Sequence, residues 1–362
     1  MKERRKRNMS RTGLLFMFCL LMLCGCAQTT GFMENTEVSG REVESLAAEK
    51  EDDTVLLGGM PVGIYMETDG VLVLDTEKMT GMDGKEYTPA QGVVSSGDYI
   101  TEVNHQKIEG KKQLMDLVEH LDGEKVLLTV RRENTILEKK LTPVQISKGN
   151  YRLGIWVRDN VQGLGTITFL TKNNRFAALG HGIHDIDTST LLTIKRGTLY
   201  RTSIQKVQKG SKGNPGTMEG IIVYNRFHRL GVIEKNTDAG IYGELNSDRS
   251  WIGEEVPIQV AKKEEIKTGE ARIRCYIDGE VKEYTICITQ IDKESDQVNK
   301  GMVIQVTDTE LLEKTGGIIQ GMSGSPIIQN GKLIGAVTHV FVQDSTKGYG
   351  IFIENMLKEE ES

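Results

Sequence analysis

The sequence predicts a mainly β protein in which a small α+β domain precedes a larger domain made of two β-barrels. A chain of 362 residues is long enough for two domains. Its 40 glycines, six prolines and few aromatic residues favour many turns and short strands over a helical bundle. From Tyr151 onward, short apolar strands alternate with glycine-rich turns, which is typical of a barrel or a sandwich. About 210 residues of this kind suit two barrels.

The first 27 residues are typical of a signal peptide or a membrane anchor. Six of the first eleven residues are basic and one is acidic, and an apolar run extends from Leu14 to Ala27. The run is shorter than the ~20 residues that span a bilayer comfortably, and it fits the core of a signal peptide. Basic residues before such a core favour export of the rest of the chain, so we expect an extracytoplasmic protein. The segment would be an uncleaved anchor, a cleaved signal or, since LCGC resembles a lipoprotein cleavage box, lipidated at Cys26.

The rest of the chain is acidic. The whole chain carries −6 and its first eleven residues carry a surplus of five positive charges, which leaves −11 for the remainder. Such a charge argues against a nucleic-acid partner. Residues 28–54 are polar with little apolar periodicity, which predicts a linker between the membrane-directed segment and the folded domains.

Residues 55–147 are predicted to form the α+β domain, with strands around one short helix. In that helix Leu114, Leu117, Val118 and Leu121 recur at the spacing of a single buried stripe. The segment SSGDYITEVNHQKI resembles the Gly-Asp-x-Ile-x-x-Val-Asn signature of PDZ domains. A generic α+β domain, whose glycines serve turns, is the alternative.

The segment Pro61-Val62-Gly63-Ile64 resembles the carboxylate-binding loop of PDZ domains. The resemblance implies that the backbone N–H groups of Val62, Gly63 and Ile64 bind the C-terminal carboxylate of a peptide, which adds as a strand beside them. Peptide C-termini are therefore expected partners of this domain.

Two cysteines, Cys275 and Cys287, lie beyond the N-terminal segment on two predicted strands. Between the strands, Asp278-Gly279 is a signal for a two-residue hairpin turn. That turn would place Cys275 opposite Lys282, so we predict ordinary buried cysteines and no disulfide between them.

Residues 148–362 contain the segment QGMSGSPIIQ, in which glycines surround two serines. A serine becomes a nucleophile only when a base takes its proton and N–H donors face the developing oxyanion. In Gly-x-Ser-Gly the N–H groups of Gly321 and Ser323 can converge on one point, while Gly324 allows a strained backbone. The segment resembles the nucleophile loop of chymotrypsin-like peptidases, with Ser323 as nucleophile and Gly321 and Ser323 as oxyanion donors. A plain turn between strands is the alternative.

The segment ALGHGIHD offers the base. His181 comes directly after an apolar strand and lies between two glycines, which resembles the strand-end histidine of chymotrypsin-like enzymes, where His also precedes Ser in the chain. We interpret the other histidines outside this segment as surface or structural residues: His105, His120, His228 and His339. A metal site in HGIHDID is a weaker alternative, because neither a helical H-E-x-x-H motif nor a second ligand cluster accompanies it. No metal or cofactor is expected.

Several segments, from GIWVRDN through ALGHGI and VTDTELLEKTGGIIQGMSGSPIIQ to GYGIFIENML, resemble the stage IV sporulation protein B peptidase family of endospore-forming bacteria. The resemblance implies a membrane segment, a PDZ domain and a chymotrypsin-like serine peptidase domain. It also implies a triad of Ser323, His181 and Asp308. Asp308 has a second interpretation as the N-cap of a helix over DTELLEK. The remaining candidates for the acid are Asp159, Asp185 and Asp238.

The resemblance further implies a signalling protease of sporulation. It would be exported into the space between forespore and mother cell, cleave itself, and cleave the regulatory subunit of a membrane-embedded complex so that pro-sigma-K is processed. A PDZ-type binding or scaffold protein without activity is the alternative, against which the intact Ser, His and Gly set argues. We expect the PDZ-like domain to affect substrate choice more than the reactivity of Ser323, because the predicted base and nucleophile both lie after residue 150.

Overall fold

Residues 54–362, the part of the chain that the computed structural model describes, consist of strands joined by short turns, with three α-helices. The strands are β1 Thr54–Leu57, β2 Pro61–Thr76, β3 Met79–Thr80, β4 Glu86–Tyr87, β5 Tyr99–Val103, β6 Gln106–Lys107, β7 Val126–Arg132, β8 Thr135–Leu141, β9 Val144–Ser147, β10 Asn150–Arg152, β11 Ile155–Leu170, β12 Arg175–Ala178, β13 Ile194–Tyr200, β14 Thr202–Gln208, β15 Thr217–Ile222, β16 Arg229–Thr237, β17 Gly240–Leu245, β18 Pro257–Val260, β19 Gly269–Ile277, β20 Glu280–Ile291, β21 Met302–Val306, β22 Pro326–Gln329, β23 Lys332–Phe341 and β24 Asp344–Phe352. The α-helices are α1 Lys111–Glu119, α2 Thr309–Thr315 and α3 Ile353–Glu361, and a 3-10 helix spans Lys263–Glu265.

Six strands close into a first barrel. Antiparallel pairs run from β2 to β11, β12, β17, β16 and β13, and β13 pairs again with β2. Closure leaves no free edge in the ring, and the alternating apolar residues of each strand fill its interior. Ile64, Phe176, Leu199 and Ile241 are among the buried residues of this core.

A second ring of six strands closes in the same way through β19, β20, β21, β24, β23 and β22. Its core includes Ile273, Tyr284, Ile304 and Val337. A third apolar cluster joins strands of both rings with Met356 of α3. Two six-stranded antiparallel barrels packed in this way confirm the predicted two-barrel, chymotrypsin-like fold.

The PDZ-like unit is inserted into the first barrel. Strands β2 and β11 are both 16 residues long and pair along almost their whole length. One half of each strand lies in the barrel and the other half lies in the inserted unit. In that unit β2 pairs with β5, β5 pairs with β7, and β7 pairs with β8. Helix α1 buries Leu114 against this sheet. The predicted α+β architecture with a single helix is therefore present.

The predicted position of the carboxylate-binding loop is wrong. Val62, Gly63 and Ile64 lie inside β2, in the barrel, where they pair with β11 on one side and with β13 on the other. Both edges of the strand are occupied, so no peptide can add there. Residues 55–68 accordingly belong to the barrel, although the sequence placed them in the PDZ-like domain.

The hairpin at the two cysteines has the predicted register. β19 and β20 are joined through Asp278 and Gly279, which both have positive φ, and Cys275 faces Lys282. Cys275 and Cys287 are free thiols, and burial raises the pKa of Cys275 above its ordinary value. No helix within residues 54–362 is long and apolar enough to cross a membrane. The predicted membrane segment, with Cys26, and all but the last residue of the predicted linker lie outside the described residues.

Candidate active site

The predicted base and nucleophile face the same cleft between the two barrels. A cavity of about 370 Å³ opens there, and His181 and Ser323 both line it. The loop after β12 carries the histidine, and the loop before β22 carries the serine. Each residue thus comes from a different barrel, although nothing in the local sequence of either loop encodes their proximity.

The first barrel holds the serine loop in a strained conformation. Gly321 and Gly324 have φ of +102° and +93°, values that side chains disfavour. A Cβ on Gly324 would also collide with the backbone of Thr166 and Leu179. The Thr166 hydroxyl donates a hydrogen bond to the Gly321 carbonyl at 2.8 Å, and the backbone N–H of Thr166 donates one to the Ser323 carbonyl at 3.0 Å. These contacts explain why the segment needs its glycines.

The loop leaves two N–H groups available for an oxyanion. Within residues 54–362, neither Gly321 nor Ser323 donates a backbone hydrogen bond, whereas the N–H groups of Met322, Gly324 and Ser325 all do. The Ser323 hydroxyl donates to the Thr338 carbonyl at 2.7 Å. The Ser325 hydroxyl is buried without a hydrogen bond inside the described region. The arrangement matches the predicted nucleophile loop, with Ser325 turned into the protein.

The imidazole of His181 is held in one tautomer by its own loop. Its Nδ1 lies 2.8 Å from the Gly182 carbonyl, which can only accept, so Nδ1 carries the proton and Nε2 is free to accept one. Burial lowers the pKa of His181, the charge of His184 lowers it further, and the bond to Gly182 opposes both. The side chain is therefore neutral at pH 7, as a general base must be.

His339 is a cleft residue that the sequence interpretation treated as structural. It lies on β23 next to Thr338, and its ring centroid is 4.6 Å from that of His181. Burial, followed by the charges of His181 and Lys300, lowers the pKa of His339 to about 4. The residue packs as a neutral ring against the base. His339 directly follows Thr338, whose carbonyl accepts the hydrogen bond of the Ser323 hydroxyl. The sequence alone does not show that these two residues lie beside Ser323.

The structure does not bring Asp308 to the histidine. Asp308 caps α2, where one carboxylate oxygen accepts the Leu311 N–H at 3.0 Å and the other accepts the Thr285 N–H at 3.2 Å. Both oxygens are used within the second barrel, and Asp308 does not line the cleft. The helix-cap interpretation therefore describes its contacts in this structure, and the role in the triad implied by the resemblance has no contact to support it.

The other candidate acids are also engaged elsewhere. Asp185 is buried in an ion pair with Arg158, and Asp159 accepts the Lys111 N–H at the start of α1. Asp238 lies 3.7 Å from Nε2 of His184. Within residues 54–362 no carboxylate forms an ion pair or hydrogen bond with His181, and no three His, Cys, Asp or Glu residues of this part of the chain are grouped as ligands of a metal ion.

A second groove lies in the PDZ-like unit between α1 and the start of β11. It encloses a cavity of about 630 Å³, whose lining includes Leu114, Val118 and residues 153–157. In the described region, the Ile155–Val157 stretch of β11 pairs only with β2, so its other edge can accept an extended peptide. The sequence signal is the turn before β11, where Gly154 has φ of +68°. This groove, and not the segment of residues 62–64, is the candidate peptide site of the PDZ-like unit.

One known protein resembles a part of this chain in sequence. The chain is 31% identical over 110 residues to a putative zinc metalloprotease of Helicobacter pylori strain J99. The aligned region covers 27% of this chain and 31% of that protein. The chain thus spans about a third of that relative's length.

Among solved structures, the PDZ domain of an SdrC-like protein from Listeria monocytogenes matches with 24% identity and a TM-score of 0.20, over 25% of this chain and 87% of that one. The active form of the Rv3671c protease of M. tuberculosis matches with 16% identity and a TM-score of 0.32, over 56% of this chain and 73% of that one. The two-barrel fold rests on the strand pairings of this chain and not on these alignments.

A family model described as SpoIVB peptidase S55 matches residues 149–357, which is more than half of the chain and includes the loops of His181 and Ser323. The match shows the family and, with it, a serine peptidase activity. The chain is accordingly a serine endopeptidase that belongs to the SpoIVB peptidase family.

Proposed function

We propose that this peptidase acts outside the cytoplasm as a signalling protease of sporulation. It would cleave itself and the regulatory subunit of a membrane-embedded complex, so that pro-sigma-K is processed between forespore and mother cell. Membership of the SpoIVB family supports the role in sporulation. The basic and apolar residues 1–27 support export, with the segment as membrane anchor or cleaved signal.

The placement of His181 and Ser323 on one cleft is the observation that carries the proposed mechanism. Rotation of the Ser323 hydroxyl away from the Thr338 carbonyl lets it donate to Nε2 of His181. The serine oxygen then bonds to the substrate carbonyl carbon while its proton passes to Nε2. The N–H groups of Gly321 and Ser323 bind the oxyanion that forms.

Collapse of this intermediate breaks the peptide C–N bond. The imidazolium of His181 gives its proton to the departing amine, and an acyl-enzyme on Ser323 remains. Water then attacks the ester carbonyl with His181 again as the base, which releases the second product and restores the hydroxyl. The Gly182 carbonyl keeps the proton on Nδ1, so that Nε2 is the nitrogen available in each step.

Peptide recognition by the PDZ-like unit would take place in the groove between α1 and β11. An extended chain can bond to the free edge of Ile155–Val157 and place side chains against Leu114 and Val118. The groove thus offers a second contact for a protein substrate, separate from the cleft of Ser323.

Mass spectrometry of the full-length protein tests the proposal. We expect fragments of the wild type that grow with time and that are absent from Ser323→Ala. The purified regulatory subunit, added to each protein, should be cleaved only by the wild type. Ser325→Ala serves as the matched control and should retain both cleavages. Intact chains in a wild type whose serine is reactive would refute the self-cleavage, and an intact subunit would refute the proposed substrate.

A further inference from the structure

We infer that the cleft accepts an uncharged aliphatic side chain on the substrate residue whose carbonyl Ser323 attacks. The inference rests on the proposed catalytic role of Ser323 and adds the class of peptide bond that is cleaved. The evidence for it is that both walls of the cleft are mainly apolar and that none of the described lining residues is Asp, Glu, Lys or Arg.

The wall from the second barrel is apolar. Ile318 and Ile319 precede the nucleophile loop and are almost completely buried, and Val340 lies two residues beyond Thr338, whose carbonyl holds the Ser323 hydroxyl. These three apolar side chains line the cleft on the side of the second barrel.

The space behind Ile318 is closed. A Cβ on Gly348 would lie 2.7 Å from the Cδ1 atom of Ile318, so the strand backbone of β24 packs directly against this side chain. The Ile318 side chain is therefore held in place by the backbone of β24. This side of the cleft accordingly presents a fixed apolar surface to a substrate side chain.

The wall from the first barrel has the same character. Apart from His181, its lining residues are aliphatic or are glycine and glutamine: Ile64, Val161, Gln162, Gly163, Leu164, Leu179 and Ile183. An aliphatic substrate side chain gains free energy by leaving water for such surroundings, in proportion to the apolar area that it buries.

Charge is the deciding feature. Among the described residues that line the cleft there is no Asp, Glu, Lys or Arg, and the polar members are Gln162, Gln320, Ser323, Thr338, His181 and His339. Burial keeps both histidines neutral at pH 7. A charged substrate side chain would lose its hydration here without gaining an opposite charge, and this penalty is much larger than the gain from its methylene groups.

The test is digestion of a peptide library by full-length protein, with sequencing of the cleaved bonds. Labelling of Ser323 by a fluorophosphonate is measured first, and Ser323→Ala gives the background. We expect Leu, Ile, Val and Met to dominate before the cleaved bond, with kcat/KM at least about 10-fold above alanine in a matched peptide series. Lys, Arg, Asp and Glu should fall below alanine.

Val340→Asp tests the wall directly. The added carboxylate should shift cleavage toward Lys and Arg and reduce it after Leu. Val342→Asp is the matched control, because Val342 is 55% exposed and does not line the cleft; its profile should equal that of the wild type. The wild-type profile decides the inference even where Val340→Asp fails to fold.

The outcomes separate the two proposals. A labelled wild type that cleaves mainly after charged residues overturns the inference and leaves the catalytic role intact. Equal profiles for folded Val340→Asp and Val342→Asp also overturn it. A folded wild type without label at Ser323 overturns the proposed mechanism and the inference together.

Discussion

The proposed base, His181, is oriented by a backbone carbonyl. The bond from Nδ1 of His181 to Gly182 fixes the tautomer that a general base requires. A carbonyl has no full negative charge, so it stabilises the imidazolium less than a carboxylate would. The family resemblance implies Asp308 for that role. Its two carboxylate oxygens instead accept hydrogen bonds from the N–H groups of Leu311 and Thr285.

Asp308→Asn separates a helix cap from a catalytic acid. Asparagine can still cap α2 at the Leu311 N–H, but its amide nitrogen cannot accept the second hydrogen bond, from the Thr285 N–H. The contacts in this structure therefore predict turnover within a few-fold of wild type and a small decrease in Tm. Asp308→Ala should cost about 0.5–2 kcal/mol of folding stability, measured by denaturant unfolding. A loss of turnover near 10⁴-fold in a stable Asp308→Asn protein would instead show that the carboxylate serves His181 during catalysis.

The pH profile should report the buried histidine. His181 acts as a base only when it is neutral, and burial lowers its pKa below the ordinary value of 6.5. The acid limb of kcat/KM should therefore lie below pH 6.5, with a plateau above it. An acid limb at or above pH 6.5 would contradict the buried site.

The folding stability of the protein should also decrease at acid pH. His339 has a folded-state pKa of about 4 against about 6.5 when unfolded. The unfolded chain thus binds a proton more readily between these values, and stability is lost as the pH falls from 6.5 toward 4. His339→Gln should reduce this slope in chemical unfolding measured at several pH values, and an unchanged slope would assign it to other groups.

Among the elements, the loop from His181 to Leu192 is fixed from outside the barrel. Arg158 bonds to both Asp185 and Asp187 of this loop, and the Asp185 side chain is fully buried. Breaking a buried pair leaves an unpaired charge, which costs about 3–5 kcal/mol. Arg158→Ala should therefore lower the Tm and slow labelling of Ser323.

Arg196→Ala is the control for that variant. Arg196 pairs with Glu67 on the same barrel, but its side chain is 67% exposed, and such pairs contribute about 0–1 kcal/mol. Its Tm and labelling rate should stay near wild type. Equal effects of the two substitutions would show that the buried pair has no special role in holding the loop.

Local patterns predicted local elements well. The turn at Asp278-Gly279 and the cap of α2 depend on neighbouring residues, and both are present. The predicted stripe on α1 is present in part: Leu114 is buried, Leu117 and Val118 are half-buried, and Leu121 lies beyond the end of the helix. The segment of β2 from Pro61 to Ile64 was misinterpreted as a loop because Gly63 resembles a turn signal. Its partners β11 and β13 lie far along the chain, and their pairing overrides that local signal.

Across the molecule as a whole, the inserted unit contributes to the peptidase domain. Tyr99 of β5 accepts the Thr193 N–H at 3.1 Å, and it packs with Leu72 and Leu192 against Ile183 of the cleft. The two-domain order was readable from composition and motifs. The insertion of one unit into the other could not be predicted, because a long strand shared by two units has the same apolar pattern as two separate strands.

Removal of residues 55–147 should abolish folding, since it deletes β1 and a barrel strand. A better excision joins Thr68 to Asp159 through an Asn-Gly turn, because β2 and β11 are adjacent there. We expect this variant to fold with slower labelling of Ser323, since it lacks Arg158 and Tyr99. Labelling at the wild-type rate would restrict the inserted unit to substrate choice, as the sequence suggested.

The catalytic assignment, with Ser323 as the nucleophile and His181 as its base, is tested most directly by active-site labelling. Full-length wild type, Ser323→Ala and Ser325→Ala are treated with a fluorophosphonate, digested and analysed by mass spectrometry. We predict an adduct on Ser323 in the wild type and in Ser325→Ala, and none in folded Ser323→Ala. An adduct on Ser325, or no adduct on folded wild type, would contradict the assignment.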